Sequence, residues 1–76
     1  MVYKPIAVPM KDLQEYFIEL DEFEVMRLCD LEGMGQEEAG EKMGISRGTV
    51  QRLLDSGRKK LLGAILVSAA IRIKNK

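Results

Sequence analysis

Apolar side chains in the second half of the chain recur at the spacing of one buried helix face. From Arg47 onward they follow an i, i+3, i+4, i+7, i+11 pattern: Val50, Leu53, Leu54, Gly57 and Leu61. Ser46 directly precedes this run and is a favourable N-cap residue. Ile45 before it has the spacing of a hydrophobic staple with Val50. The pattern predicts a helix over 47–62.

A shorter helix is predicted immediately before this one, from Gln36 to Met43. Gly35 lies at its N-cap position, and Gly44 lies where a left-handed residue ends a helix. Two short helices joined by a tight turn that contains glycine form a helix-turn-helix. The outer face of the second helix is mostly basic and polar, with Arg47, Gly48, Gln51, Arg52, Asp55, Arg58 and Lys59.

The first half of the chain predicts one more helix and leaves one segment undecided. Asp21 is placed to cap a helix with Glu24 at the third helical position, and Gly33 supplies a left-handed stop. The apolar face of this helix comprises Phe23, Met26, Leu28, Cys29 and Leu31. Residues 13–20 fit helical spacing, whereas the aromatic and branched residues of "YFI" fit a strand. Of these two alternatives, a short helix is favoured.

The two ends of the chain complete the predicted fold. Pro5 and Pro9 indicate an extended N-terminal arm, with an edge strand as one form of it. Residues 61–73 are apolar nearly all round, which predicts burial partly by a second subunit, and "AIRIK" at 70–74 alternates like a short strand. The predicted class is all-α, a helix-turn-helix bundle with this arm and a candidate C-terminal strand. The arm takes 1–12, the helix-turn-helix domain 13–62, and an apolar oligomerisation segment 63–76.

Composition limits the chemistry that the chain can carry. At 76 residues we expect one small domain with a marginal core. The chain has one cysteine and no histidine, so neither a disulfide framework nor a Cys/His zinc site is expected within it, and no cofactor or metal is predicted. Neither a leader nor an apolar stretch of membrane length is visible, so we expect a soluble cytoplasmic protein with no membrane partner.

The charges are segregated along the chain although they sum to zero. Residues 1–43 contain four Lys or Arg and eleven Asp or Glu, whereas residues 44–76 contain eight and one. Such asymmetry suggests that one face meets a negatively charged partner while the other repels it. Chance clustering on a solvated surface is the alternative.

Arg47 and Gly48 occupy a helix start where neither residue favours the helix. A basic residue there opposes the macrodipole at a cost of about 0.3–1 kcal/mol, and glycine costs up to about 1 kcal/mol relative to alanine. Both residues are explained if this turn enters a DNA groove. Arginine can donate two hydrogen bonds to a guanine edge, and glycine lets the helix backbone come close to the DNA. Arg47, Gln51 and Arg52 are then candidate base contacts. The candidate backbone contacts are Ser46, Thr49, Arg58 and Lys59. A solvated helix start in a helical bundle is the alternative.

Enzymatic chemistry is not expected. Ser46 has no histidine to activate it, so capping is the better interpretation. Glu37, Glu38 and Glu41 are better explained as exposed helix carboxylates than as a metal or acid/base site.

The segment "GQEEAGEKMGISRGTVQRLLDSGRKKL", residues 35–61, resembles the region-4 helix-turn-helix of sigma-70-type transcription factors. With "YKPIAVPM" and "LDEFEVMRLCDLEG" upstream, nearly the whole chain resembles a family of small prokaryotic proteins predicted to bind DNA. Gly40 and Gly57 stand where such motifs usually have alanine. The resemblance implies an all-helical core and DNA binding. It also implies which positions face DNA: Ser46, Arg47, Gly48, Thr49, Gln51 and Arg52.

The function expected from these observations is that of a transcriptional regulator. It binds double-stranded DNA with helix 47–62 in the major groove, as a homodimer or higher homo-oligomer. The alternative is a protein-interaction adaptor that contacts the transcription machinery, with RNA polymerase as a candidate partner, through the acidic N-terminal half.

Overall fold

A computed structural model of the chain describes residues 2–3, 14–67 and 69–74. The order of elements is β1 (Val2–Tyr3), β2 (Glu15–Glu19), α1 (Leu20–Met26), a π-helical turn (Arg27–Leu31), α2 (Gln36–Met43), α3 (Arg47–Leu66) and β3 (Ala70–Lys74). The fold is therefore α+β, and the all-α prediction is wrong.

The three strands form one mixed sheet in the order β1-β3-β2. β3 lies in the middle, antiparallel to β1 and parallel to β2, with Tyr16 paired to Ile71 and Val2 paired to Arg72. The strand predicted at 70–74 is confirmed, and Val2–Tyr3 form an edge strand. Residues 4–12 of the predicted arm lie outside the described residues. The prediction missed the sheet as a whole because its strands pair across most of the length of the chain.

The preference for a helix over residues 13–20 was wrong. Residues 15–19 are a strand whose Ile18 side chain is fully buried, while Leu13 lies outside the described residues. α1 begins directly after this strand, so its N-cap is Glu19 and not Asp21. The Glu19 amide donates to Oε1 of Glu22 at 2.8 Å, the return bond of a capping box shifted two residues from the predicted one.

The helix-turn-helix has the predicted boundaries at three of its four helix ends. α2 spans Gln36–Met43 and α3 begins at Arg47, but α3 continues to Leu66, beyond the predicted end at 62. Gly44 ends α2 with φ 71° and ψ 33°, the left-handed conformation that glycine adopts without strain.

The core lies between α1, α3 and the sheet. Its largest fully buried side chains are Ile18, Val25, Val50 and Leu54. Leu31 was predicted to join this core but is 80% exposed. The π-helical turn explains the difference, because the Glu32 amide bonds to the Arg27 carbonyl five residues back (3.0 Å), which takes later residues off the α-helical stripe.

Candidate nucleic-acid interface

The turn between α2 and α3 is held tightly against α2. The Ile45 amide donates to the Gly40 carbonyl at 2.9 Å. A Cβ added at Gly40 would lie 2.7 Å from the Ile45 carbonyl oxygen, closer than real Cβ atoms approach a backbone. Glycine at position 40 therefore lets the turn approach α2, and the turn fixes where α3 begins.

Ser46 caps α3, as the sequence predicts. Its Oγ accepts from the Thr49 amide at 3.1 Å and shares a hydrogen bond with the Thr49 hydroxyl at 2.9 Å. Nη2 of Arg52 donates to the same Thr49 hydroxyl at 3.3 Å. These three side chains form one hydrogen-bonded row along the first turns of α3, with Ser46 and Arg52 exposed and Thr49 half-buried.

The remaining candidates at the start of α3 are exposed. Arg47 and Gly48 lie in its first turn, and Arg47 makes no hydrogen bond or ion pair with the part of the chain that the structure describes. Gln51 is exposed and donates to Oδ1 of Asp55 at 3.2 Å. The structure thus brings six of the eight predicted site residues together over one and a half turns of helix.

Arg58 and Lys59 lie apart from this group, with Arg58 about 9 Å beyond Arg52 and about 16 Å beyond Arg47 along the α3 axis. The Arg58 guanidinium binds the Asp30 carboxylate through two hydrogen bonds, at 2.6 and 3.1 Å. These bonds hold the pKa of Asp30 below its usual range. A phosphate contact by Arg58 would compete with this pair. Lys59 is exposed and has no partner among the described residues.

Much of the charge asymmetry along the chain is neutralised by folding. Four ion pairs join bases of the second half to acids of the first: Lys60 to Glu22, Arg58 to Asp30, Arg72 to Glu15 and Lys74 to Glu19. Among the described bases of the second half, Arg47, Arg52 and Lys59 have no carboxylate partner. Two of these three, Arg47 and Arg52, lie near the start of α3, so the uncompensated positive charge is concentrated in that part of the helix.

Glu22 is a buried charged residue that sequence reasoning missed. It is only 3% exposed, and its carboxylate accepts from Lys60 Nζ at 2.8 Å, from the Ser56 hydroxyl and from the Glu19 amide. Burial alone would raise the pKa of Glu22, but these hydrogen bonds together outweigh it and the pKa lies below its usual range. The cluster ties the start of α1 to the middle of α3. The E-x-x-E spacing of residues 19 and 22 was the available signal.

Two features are absent from residues 2–3, 14–67 and 69–74. No helix there is long and apolar enough to cross a bilayer. No three His, Cys, Asp or Glu side chains there are grouped in a way that could hold a metal ion.

Comparison with known proteins places the chain in a family. A family model described as "Protein of unknown function DUF134" matches residues 1–75. A UPF0251 protein of Desulforudis audaxviator is 43% identical over 72 residues, covering 95% of this chain and 47% of the relative. UPF0251 proteins of Moorella thermoacetica and Pelotomaculum thermopropionicum are 42% identical over 72 residues and 44% over 71. These two matches cover 95% and 93% of this chain, and 48% and 54% of the relatives.

The chain therefore spans about half the length of these curated relatives. No solved structure matches it significantly. Because the family model covers nearly every residue and these relatives are at least 42% identical, the chain belongs to the family of unknown function DUF134, the UPF0251 proteins.

Proposed function

We propose that this chain binds double-stranded DNA through its helix-turn-helix and acts as a transcriptional regulator in the cytoplasm. The observation that carries the proposal is the start of α3, where Arg47 and Arg52 are exposed and have no carboxylate partner among the described residues. Most other described bases of the second half are neutralised by ion pairs. A polyanion is the partner that such a local positive surface favours.

The chemistry of this turn suits the major groove. The Arg47 guanidinium can donate two hydrogen bonds to O6 and N7 of guanine, and the Gln51 amide can pair with adenine in the same way. Gly48 has no side chain to keep the backbone away from the base edges. The first amides of α3 and the hydroxyls of Ser46 and Thr49 are suited to phosphate oxygens.

Two further considerations support a DNA-binding role. The resemblance of residues 35–61 to sigma-70 region 4 covers the α2–turn–α3 unit, and that unit has the predicted helices and turn. The proposal also accounts for Arg47 and Gly48 in a first helical turn that neither residue favours.

The first test is fluorescence anisotropy of the purified chain with short duplex DNA across a salt series. We expect log affinity to fall linearly with log salt, with a slope near 0.9 for each phosphate contact. On a selected operator, Arg47→Ala should cost about 1–3 kcal/mol and relax specificity at one base pair. Arg72→Ala is the matched control, because it removes the same charge from the sheet. No binding at low salt, or equal losses in the two variants, would refute the proposal.

A protein-interaction adaptor is the second candidate. Glu37, Glu38 and Glu41 are exposed on α2 and have no partner among the described residues, so α2 presents an acidic surface. This surface fits a basic site on a protein such as RNA polymerase better than it fits DNA. Charge reversal separates the two functions: Arg52→Glu should abolish DNA binding, whereas Glu38→Lys should abolish binding to the protein partner.

A further inference from the structure

An open apolar groove lies at the end of α3 that is remote from the proposed DNA-binding turn. It has a volume of about 570 Å³ and lies between α1 with its π-helical turn, the C-terminal half of α3 and the sheet. Its walls include Tyr3, Phe23, Leu31, Leu61 and Ile65. Ile65 is about 27 Å along the helix axis from Arg47, so the groove and the proposed DNA-binding turn are separate surfaces.

An apolar ridge runs beside this groove on α3. Leu62 and Leu66 are one helical turn apart and are 60% and 75% exposed, but neither lines the groove. With Tyr3, Leu31, Leu61 and Ile65, they leave on the order of 600 Å² of mainly apolar surface in solvent, at the upper end of the range of about 300–600 Å² for the largest apolar patch of a typical monomer. This area approaches the ~800 Å² that each partner contributes to a standard protein interface.

Among the described residues, the charged side chains at the groove are already paired. Arg27 bonds to Glu24 and Glu32, and Asp30 is held by Arg58. The mouth therefore offers no unpaired charge among the described residues to select a charged peptide or a polyanion. Its chemistry fits a neutral, apolar protein surface.

We propose that the occupant is a second copy of this chain. The ridge formed by Leu62 and Leu66 in each copy inserts into the groove of the other, so that one two-fold axis relates two identical contacts. Such an interface needs a projecting and a receiving surface on the same chain, and here they lie side by side. The contact also covers Leu31, which the π-helical turn exposes.

This dimer has a consequence for DNA recognition. α3 is about 30 Å long, and the proposed contact involves its C-terminal third. The two DNA-binding turns, at the opposite ends of the two α3 helices, therefore lie at the outer ends of the dimer. A two-fold dimer of this kind reads an inverted repeat with half-sites on one face of the duplex. That consequence rests on the proposed DNA-binding function, but the dimer itself does not.

Sedimentation equilibrium of the purified chain, without DNA, tests the dimer. We expect twice the 8.6 kDa mass of one chain at micromolar concentration. Leu62→Glu and Leu66→Glu should each weaken dimerisation by about a hundredfold, because the interface would bury an unpaired carboxylate. Leu20→Glu is the matched control, since Leu20 is 44% exposed but belongs neither to the ridge on α3 nor to the lining of the groove, and it should leave the mass unchanged.

Circular dichroism of each variant checks that the fold is retained, which we expect because both ridge side chains are largely exposed. Cross-linking supplies a second readout that does not depend on weakening the dimer. In a Cys29→Ser background, a mixture of Leu66→Cys and Leu31→Cys chains should form a mixed disulfide faster than a mixture of Leu20→Cys and Leu31→Cys chains. A monomer at every concentration, or a dimer insensitive to both ridge substitutions, would overturn the proposal. Loss of DNA binding alone would not, so the two proposals fail separately.

Discussion

Replacing Glu22 by glutamine tests whether the buried carboxylate cluster holds α1 to α3. The side chain keeps its shape, but the amide brings two hydrogens to a site that three donors already occupy. The amide nitrogen can take the place of Oε2 and donate to the Ser56 hydroxyl, while Oε1 still accepts from Lys60 and the Glu19 amide. The change therefore removes the negative charge and leaves the second amide hydrogen without an acceptor in this cluster. Lys60 is partly exposed and can recover hydrogen bonds from water, so its contribution is discounted. We expect Glu22→Gln to lower the free energy of unfolding by about 1–3 kcal/mol.

Glu24→Gln is the matched control, because it makes the same change two residues away. Glu24 is also ion-paired, to Arg27, but both side chains are more than a third exposed. Solvent screens such pairs, so its loss should be much smaller. The assay is urea unfolding followed by circular dichroism at neutral pH. Equal losses in the two variants would show that the buried cluster does not contribute as argued.

The pH dependence of the stability difference between wild type and Glu22→Gln gives a second check. The folded-state pKa of Glu22 lies below its ordinary value of 4.5, so the unfolded chain takes up the proton first as pH falls. The stabilisation from the charged carboxylate is fully present above that ordinary value and is lost as pH falls through the folded-state pKa. The stability difference between wild type and Glu22→Gln should therefore shrink only in this acidic range. A difference that stays constant down to strongly acidic pH would refute the role of the charge.

Substitutions at three further positions test the helix-turn-helix, each by urea unfolding. Ser46→Ala should cost about 1 kcal/mol, because it removes the cap on the Thr49 amide, and an unchanged stability would contradict this role. Gly44→Ala should cost about 1–2 kcal/mol, since φ is 71° and no atom of the described residues would contact the added Cβ, and Gly44→Asn should cost less. Gly40→Ala should destabilise by about 1 kcal/mol despite better helix propensity, because its Cβ would meet the Ile45 carbonyl; a more stable variant would show that the turn moves easily.

The helix-turn-helix could be predicted from the sequence because its signals are local. The Ser46 cap acts on a residue three positions later, and Gly44 ends α2 through its own backbone conformation. The apolar stripe of α3 is likewise set by spacing within one helix. These features give the start of α3, and hence the candidate DNA-binding turn, without knowledge of the rest of the fold.

The same local reasoning failed where the decisive partner is distant in sequence. Residues 15–19 carry signals for both helix and strand, and the strand forms because β3, more than fifty residues later, pairs with it. The cap at Asp21 failed for the same reason, since the strand sets where α1 begins. Leu31 was assigned to the core because an uninterrupted α-helix would bury it, whereas the π-helical turn exposes it.

The charged residues show most clearly what the sequence determines and what the tertiary structure decides. The sequence by itself determined that the acids and bases are segregated along the chain. It also determined that the start of α3 is capped by Ser46 and carries basic residues on the face opposite its apolar stripe. Only the tertiary structure decided which bases remain available, because Lys60, Arg58, Arg72 and Lys74 meet acids 28 to 57 residues away through helix packing and sheet pairing. Local spacing determines helices and caps, whereas strand pairing and ion pairing depend on contacts that exist only after the chain has folded.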